Sequence, residues 1–542
     1  MKKSTQIIYP MLIAVAIVIG IYIGKYYDRM FTTPIIYSGQ NKIEGLLNMI
    51  KRQYVDTVNI DSLIETAIPK IIGELDPHST YISAADLQMV NDDLEGTFSG
   101  IGIEFSILED TVTVVGVISG GPSEKVGIIP GDRIIAVNDT AFTGNGISNE
   151  KVLKRLRGPK GSEVKLTLSR ISASEPIEML VTRGDIPVNS VDAAFRTNDG
   201  IGYIKVSKFG RNTYTEFLNS LAKLRREGSD KFIIDLRGNT GGYMESAINM
   251  VNEFLPKGYL IVYTYGNASP LNQAFSNGTG IFKESPVIVL VDEWSASASE
   301  IFAGAIQDND RGLIVGRRSF GKGLVQQQIP FSDGSAVRLT IARYYTPSGR
   351  SIQKEYKMGD SEGYDMDIIH RYEHGEFYTR DSIHLNDTLK YHTLLGRTVY
   401  GGGGIMPDVF VPRDTLGNTP YLTNIINQGL MYQFAFKYAD DNREKLKQYQ
   451  NANEMLKYLQ RQPILDKFVS YAASKGVKPR PVYINISKKI INNTLYAYIA
   501  RNIIGDEAFY PIILMDDNTF IKAVELLNDE DTYINMLISG KE

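Results

Sequence analysis

The pattern of apolar and polar positions divides the chain into five textures. Residues 7–24 carry no charge. Residues 42–54 and 60–75 repeat apolar side chains at helical spacing, with Pro69 expected to interrupt the second run. From about 94 to 170, short β-like runs stand between glycine turns. Strands are predicted at 101–107, 111–118, 133–137 and 163–169, with a short helix at 151–156. Beyond 170, buried-type strands alternate with helices. The strands are predicted at 201–206, 232–236, 286–291, 313–315 and 336–342, and the helices at 214–224, 245–255 and 301–307. That order implies a βαβ-type core with both faces covered. The last texture, from about 421 to 542, is helical and polar-rich, and 445–460 is its clearest amphipathic stretch.

These textures predict an N-terminal membrane anchor or signal at 1–30 and a helical segment at 31–92. A β-rich domain at 93–172, an α/β core at 173–413 and a helical C-terminal extension at 414–542 follow. At 542 residues the chain is long enough for two to four domains. Net charge is only −4, so no nucleic-acid partner is expected. There is no cysteine, which removes thiol catalysis, disulfides and cysteine-based zinc sites. Eighteen uncharged residues preceded by Lys2 and Lys3 predict an uncleaved anchor with the N-terminus inside and the rest extracytoplasmic. A cleaved signal peptide is the rival, disfavoured by the length of the run and the lack of an A-x-A site before Lys25.

The chemistry gathers in three turns. Ser295-Ala-Ser-Ala-Ser-Glu300 follows an apolar strand directly. A serine at such a strand-to-helix corner is exposed, and the amide beside it points outward, where it can stabilise an oxyanion. In Phe320-Gly-Lys-Gly323 the glycines let the backbone approach closely while Lys322 reaches into a site. No histidine lies nearby in sequence, so a Ser–Lys pair is the candidate nucleophile and base. A free lysine titrates near ~10.4, and bringing it to about 7 costs about 4.6 kcal/mol, which desolvation in an apolar pocket can supply. Trp294, Phe302 and Phe320 are the expected walls. Asp235-Leu-Arg-Gly-Asn-Thr-Gly-Gly242 follows another buried strand, and its amides and the next helix favour negative charge. It reads as one wall of an oxyanion hole, with the Ala298 amide as the other, or equally as a tight turn without a ligand.

In the β-rich region, Ser99-Gly-Ile-Gly-Ile-Glu-Phe105 sets two glycines ahead of an apolar strand. Amides around Gly100, Ile101, Gly102 and Ile103 can converge there on a carboxylate while the strand edge pairs with an incoming peptide. With Pro130-Gly-Asp-Arg-Ile-Ile-Ala-Val-Asn138 downstream, this region resembles a PDZ domain. Asp76-Pro-His-Ser79, the PDZ-like block, the three turns above, Tyr345-Thr-Pro-Ser-Gly-Arg350 and Gly404-Ile-Met-Pro-Asp408 occur in order. Over roughly residues 42–412 the chain therefore resembles the C-terminal processing peptidase, or tail-specific protease, family. The resemblance implies a ClpP/crotonase-like core, an inserted PDZ domain and an extracytoplasmic serine endopeptidase acting near C-terminal tails, with no cofactor or metal. It implies Ser297 as nucleophile, Lys322 as base, Gln326 as the residue that orients the lysine, and Ala298 with Gly241 or Gly242 as oxyanion donors. Asp308 is expected to be architectural, and Ser295 and Ser299 to satisfy backbone groups at the helix start.

Alternatives remain at this stage. A non-catalytic PDZ scaffold on the same core is one, which intact Ser297, Lys322 and Gln326 disfavour. Ser319-Phe-Gly-Lys322 also fits the S-x-x-K pattern of penicillin-binding enzymes, but its glycines oppose the helix that pattern needs. His370 and His374, at i and i+4, read as solvated rather than as metal ligands, and His78 as a turn residue. The insertion at 355–393, rich in charge and tyrosine, and the extension beyond 414 fall outside the motifs; oligomerisation, gating or an adaptor are the roles open to them, and plain surface solvation is equally open for the insertion.

Overall fold

Continuous apolar runs make a six-stranded sheet whose two faces are both covered. In order across it lie Val191–Arg196, Gly202–Val206, Phe232–Asp235, Val287–Val291, Leu313–Gly316 and Val409–Phe410. The first pair is antiparallel and the others parallel. The computed structural model describes residues 5–31, 42–108, 110–118, 120–144, 146–170 and 173–539. On one face, Phe217, Met250 and Phe302 from the helices Thr213–Arg226, Met244–Asn252 and Ala298–Asp308, with Phe254 just past the second, join the sheet in a single core. On the other, Tyr203, Ile233, Ile288 and Leu290 pack against Leu514, Ala523, Leu526, Leu527 and Tyr533 of the C-terminal helices. The Tyr533 hydroxyl donates to the Val287 carbonyl (3.1 Å) and accepts from its amide (3.2 Å), tying the last helix to the sheet.

A second, antiparallel sheet joins Thr80–Ile82, Leu260–Tyr265, Asn272–Phe275, Leu324–Pro330 and Ala336–Tyr345. It carries the residues after Lys322 on one strand and the Asp76–Ser79 turn at the head of another. The small β domain has its own six-stranded sheet, with Ile103–Leu108 at one edge. There Asp132 explains the Pro-Gly-Asp-Arg turn. Its buried carboxylate accepts from the Ile129 amide (3.0 Å) and pairs with Arg170 at 2.7 and 2.8 Å. The architecture is thus mixed α/β with an inserted β domain and a helical C-terminal region.

Several expectations need correction. The small sheet runs on through Ile177–Thr182, past the boundary at 172, and the hairpin Leu260–Tyr265 with Asn272–Phe275 adds two strands beyond those the apolar pattern predicts. The stretch 445–460 is two helices, Arg443–Leu446 and Ala452–Leu459; Asn451 restarts the second by accepting from the Glu454 amide (3.0 Å). Ile60–Gly73 runs through Pro69, which removes one bond of the ladder without ending the helix.

Residues 1–74 form a separate unit. It holds the helices Thr5–Phe31, Lys42–Gln53 and Ile60–Gly73. Among the described residues no helix is long and apolar enough to cross a membrane. Lys2 and Lys3 lie outside the described residues, as does the placement of side chains before Pro10, so the expected anchor draws no support from this unit.

Burial at the second face makes a stability prediction. Leu526→Ala, at a side chain 4% exposed, should destabilise the protein by about 2–5 kcal/mol, read by urea denaturation.

Candidate active site

The serine corner is built under strain. Ser297 has φ 57° and ψ −115°, a region a non-glycine residue rarely occupies, and it is the N-cap of the buried helix Ala298–Asp308. The strain persists because the surroundings fix both sides of the corner. Ser295 Oγ donates to the Leu236 carbonyl (2.9 Å), the Ala296 amide to the Asn239 carbonyl (3.0 Å), and Ser299 Oγ to that same carbonyl (2.8 Å). The flanking serines therefore pin the corner to the Asp235–Gly242 turn rather than cap the helix. Gly241 is required at this contact, because a Cβ there would lie 2.7 Å from that of Ser297.

Glu300 joins this corner to the lysine loop. Its buried carboxylate accepts from the Ser297 amide (2.8 Å), the Lys322 amide (2.8 Å), the Gly321 amide (2.7 Å) and Ser319 Oγ (2.5 Å). The Ser297 and Lys322 amides share one oxygen, Oε2, so their nitrogens lie no more than 5.6 Å apart. The Tyr344 hydroxyl closes the other side, donating to the Lys322 carbonyl (2.6 Å) with the Ser297 carbonyl 3.0 Å away. Burial raises the Glu300 carboxyl to about 7, against the pull of its four donors.

Ser297, Ala298, Gly241, Gly242, Lys322 and Gln326 all line one cleft of about 620 Å³. Burial holds the Lys322 ammonium below its ordinary value and Arg338 pushes the same way, while Glu300 and Asp76 partly oppose them. Between the two glycines the bonding discriminates. The Gly241 amide already donates to Asn239 Oδ1 (2.9 Å) and the residue is buried, whereas Gly242 is exposed to the cleft. Gln326 sits differently from expectation: its amide reaches the Thr340 hydroxyl (3.4 Å), which donates to Asp76 (3.0 Å), and not Lys322.

The expected walls are also different. Phe302 is deep in the core and Trp294 is half exposed. The Phe320 ring lies under the Lys354 ammonium at 4.2 Å. The cleft's apolar lining comes instead from Leu324, Val325, Ile301 and Tyr344. The insertion braces this region. Its helix Ser361–Glu373 brings Tyr364 to within 3.0 Å of His78 Nε2, and Arg371 donates to the carbonyls of Ser319 (3.0 Å) and Arg318 (2.8 Å). Burial and the Lys322 charge hold the His78 imidazole down at about 4. His374 ends this helix and its Nδ1 meets the His370 carbonyl (2.7 Å); no metal-binding group of side chains occurs among the described residues. Ser319 lies in a loop with its hydroxyl spent on Glu300, unlike the helical S-x-x-K serine. Asp308 pairs with Arg350 at 2.7 Å, both fully buried, an architectural contact.

In the β domain, Gly102 is left-handed (φ +76°), and the Gly102 and Ile101 carbonyls accept from the Ile118 and Ser123 amides. Those bonds fix the Gly100–Ile103 loop, while the strand Ile103–Leu108 that follows forms the sheet edge.

Models of known families match three stretches: a PDZ domain at 99–181, peptidase family S41 at 200–368, and a family of unknown function at 421–505. The carboxy-terminal-processing protease of Bartonella bacilliformis is 36% identical over 322 residues, 58% of this chain and 73% of that one. The carboxy-terminal processing protease CtpB of Bacillus subtilis is 35% identical over 318 residues, 58% of this chain and 66% of that one. A solved photosystem II D1 C-terminal processing protease is 29% identical, covering 57% of this chain and 88% of that one, with a TM-score of 0.33. The chain belongs to peptidase family S41, the carboxy-terminal processing protease family, and is a serine-type endopeptidase carrying a PDZ domain.

The residues missed from sequence were Glu300 and Tyr344. A signal existed for Glu300, since Ser297-x-x-Glu300 is a capping-box pattern; Tyr344 had none. Glu300→Gln should lower turnover about a hundredfold, because an amide turns a donor toward donors and loosens the corner. It should also cost about 1–3 kcal/mol in stability. The folded carboxyl, at about 7, binds its proton more tightly than the ordinary 4.5, so this group's stabilisation fades as pH rises from 4.5 through 7. Urea titrations at pH 5 and 7.5 should show that slope in the wild type and its loss in Glu300→Gln.

Proposed function

We propose that this chain hydrolyses peptide bonds with a Ser297–Lys322 pair and cuts proteins near C-terminal tails held by its PDZ groove. Neutral Lys322 Nζ takes the proton from Ser297 Oγ as that oxygen attacks the scissile carbonyl carbon. The oxyanion is received by the amides of Gly242 and Ala298, with the N-terminus of the serine helix adding favourable dipole. The lysine ammonium returns its proton to the leaving amine, and water then hydrolyses the acyl-enzyme by the same relay in reverse. Gln326 and Thr340 link the cleft to Asp76. What carries this reading is the single Glu300 oxygen that accepts from the amides of both Ser297 and Lys322.

The tail of the substrate would add as a strand to the edge Ile103–Leu108, its carboxylate at the Gly100–Ile103 loop. An extracytoplasmic, membrane-anchored placement is supported by the uncharged run at 7–24 and the two lysines before it.

The test is cleavage of fluorogenic peptides with apolar C-termini. Ser297→Ala and Lys322→Ala should each abolish turnover while keeping the fold; slow binding without cleavage by the wild type would favour a peptide-binding scaffold. Turnover should rise with pH as Lys322 loses its proton, its ionisation lying below the ordinary lysine value. His78→Asn should leave that rise in place and not abolish cleavage, because an imidazole held at about 4 is neutral across the working range.

A further inference from the structure

We propose that Asp517, in the C-terminal helical region, is a positioning residue for the active site. It acts through Arg237 to hold the turn that carries Gly241 and Gly242. The proposal rests on the catalytic reading above, and Asp517 lies outside both the peptidase match at 200–368 and the match at 421–505.

The connection is a short chain of bonds. Arg237 Nη1 donates to both Asp517 oxygens, at 2.9 and 2.7 Å. Arg237 Nε and Nη2 grip Asp235, at 3.1 and 2.6 Å, and Asp235 also accepts from the Tyr203 hydroxyl (2.8 Å). The guanidinium thus spans two carboxylates, one at the head of the turn and one from the distant tail. Two residues past Arg237, Asn239 receives the Ala296 amide and the Ser299 hydroxyl, and its side chain accepts from the Gly241 amide. Movement of Arg237 therefore reaches both the oxyanion glycines and the serine corner. Depriving a guanidinium only 16% exposed of one of its two carboxylates is costly enough to drive such movement.

Asp517 has a second task that chemistry can separate from the first. It is the N-cap of the helix Asn518–Asn528, and its Oδ1 accepts from the Phe520 amide (2.8 Å). Asparagine caps a helix as well as aspartate does. Its one oxygen would stay on the cap and its NH₂ would face the Arg237 donors. Glutamate caps poorly but keeps the charge, and Asp517 is exposed enough to admit the longer side chain. A purely structural, capping role and a positioning role thus predict opposite orders for Asp517→Asn and Asp517→Glu.

The experiment compares both variants with Asp529→Asn, at another N-cap carboxylate, which accepts from the Thr532 amide and hydroxyl rather than from an arginine. Full-length protein is assayed for peptide cleavage, thermal midpoint and amide hydrogen exchange over 236–244. Expected are a fall in kcat of about tenfold in Asp517→Asn with KM within about twofold. Exchange across 236–244 should quicken about fivefold in that variant alone, with kcat near wild type in Asp517→Glu and Asp529→Asn. An Asp517→Asn protein with unchanged kcat and unchanged exchange overturns the proposal, as does Asp517→Glu falling as far as Asp517→Asn. A wild type that never cleaves sinks the catalytic reading instead, and the exchange measurement then still decides whether Asp517 holds the turn.

Discussion

The geometry of this enzyme depends on one buried carboxylate with four donors. A carboxylate taken out of water is expensive unless its lone pairs are filled. Glu300 is tolerated because Ser297, Ser319, Gly321 and Lys322 supply those bonds from two segments that are distant in sequence. Each donor is therefore held where Glu300 requires it, and the strained φ of Ser297 is maintained by the same contacts. Tyr344 repeats the arrangement with opposite polarity: one hydroxyl faces the two carbonyls of the same residue pair. Serine and lysine are aligned by a shared acceptor on one side and a shared donor on the other, before any substrate arrives.

The electrostatics of the cleft follow from that packing. Bringing Lys322 against a buried loop desolvates it, and Arg338 adds a like charge, so the ammonium gives up its proton more readily than an ordinary lysine. Glu300 and Asp76 work against this, but both have their oxygens occupied by other donors. The insertion adds the outer wall. Lys354, sandwiched against the Phe320 and Tyr364 rings at 4.2 and 3.9 Å, and Arg371, on two loop carbonyls, hold the lysine loop from behind. The insertion, though many of its charges are exposed, braces this loop through Arg371 and Tyr364.

The motifs were legible because each reports local backbone chemistry. Glycines at 241 and 242, serines around 297 and the glycines flanking Lys322 are demanded by close approach and turn geometry within a few residues. Gln326 meets Thr340, a partner the motif does not reveal, because that partner is set by strand register. It stands opposite Thr340, at a register shift between Val325 and Gln326 that re-aims the side chain. The aromatic walls failed for a related reason. Phe302 belongs to a helix whose whole length is buried, so its neighbours are core residues rather than the cleft, and no short window reveals that. The strand at 177–182 escaped because half its side chains face solvent and it is an edge strand, paired only with 163–169.

The C-terminal region was legible as helical but not in its purpose, and its contacts give the reason it is long. It covers one whole face of the central sheet, so the core's parallel strands owe their double burial to it. It also reaches the β domain: Gly131, at φ +98°, leaves room where a Cβ would lie 2.7 Å from the Asp440 carboxylate. A segment that meets the PDZ domain at Asp440 and Arg237 of the Asp235–Gly242 turn at Asp517 is packed with both parts of the chain. The region that covers the sheet of this S41 core is therefore also the one that bonds Arg237, in the turn that meets the serine corner.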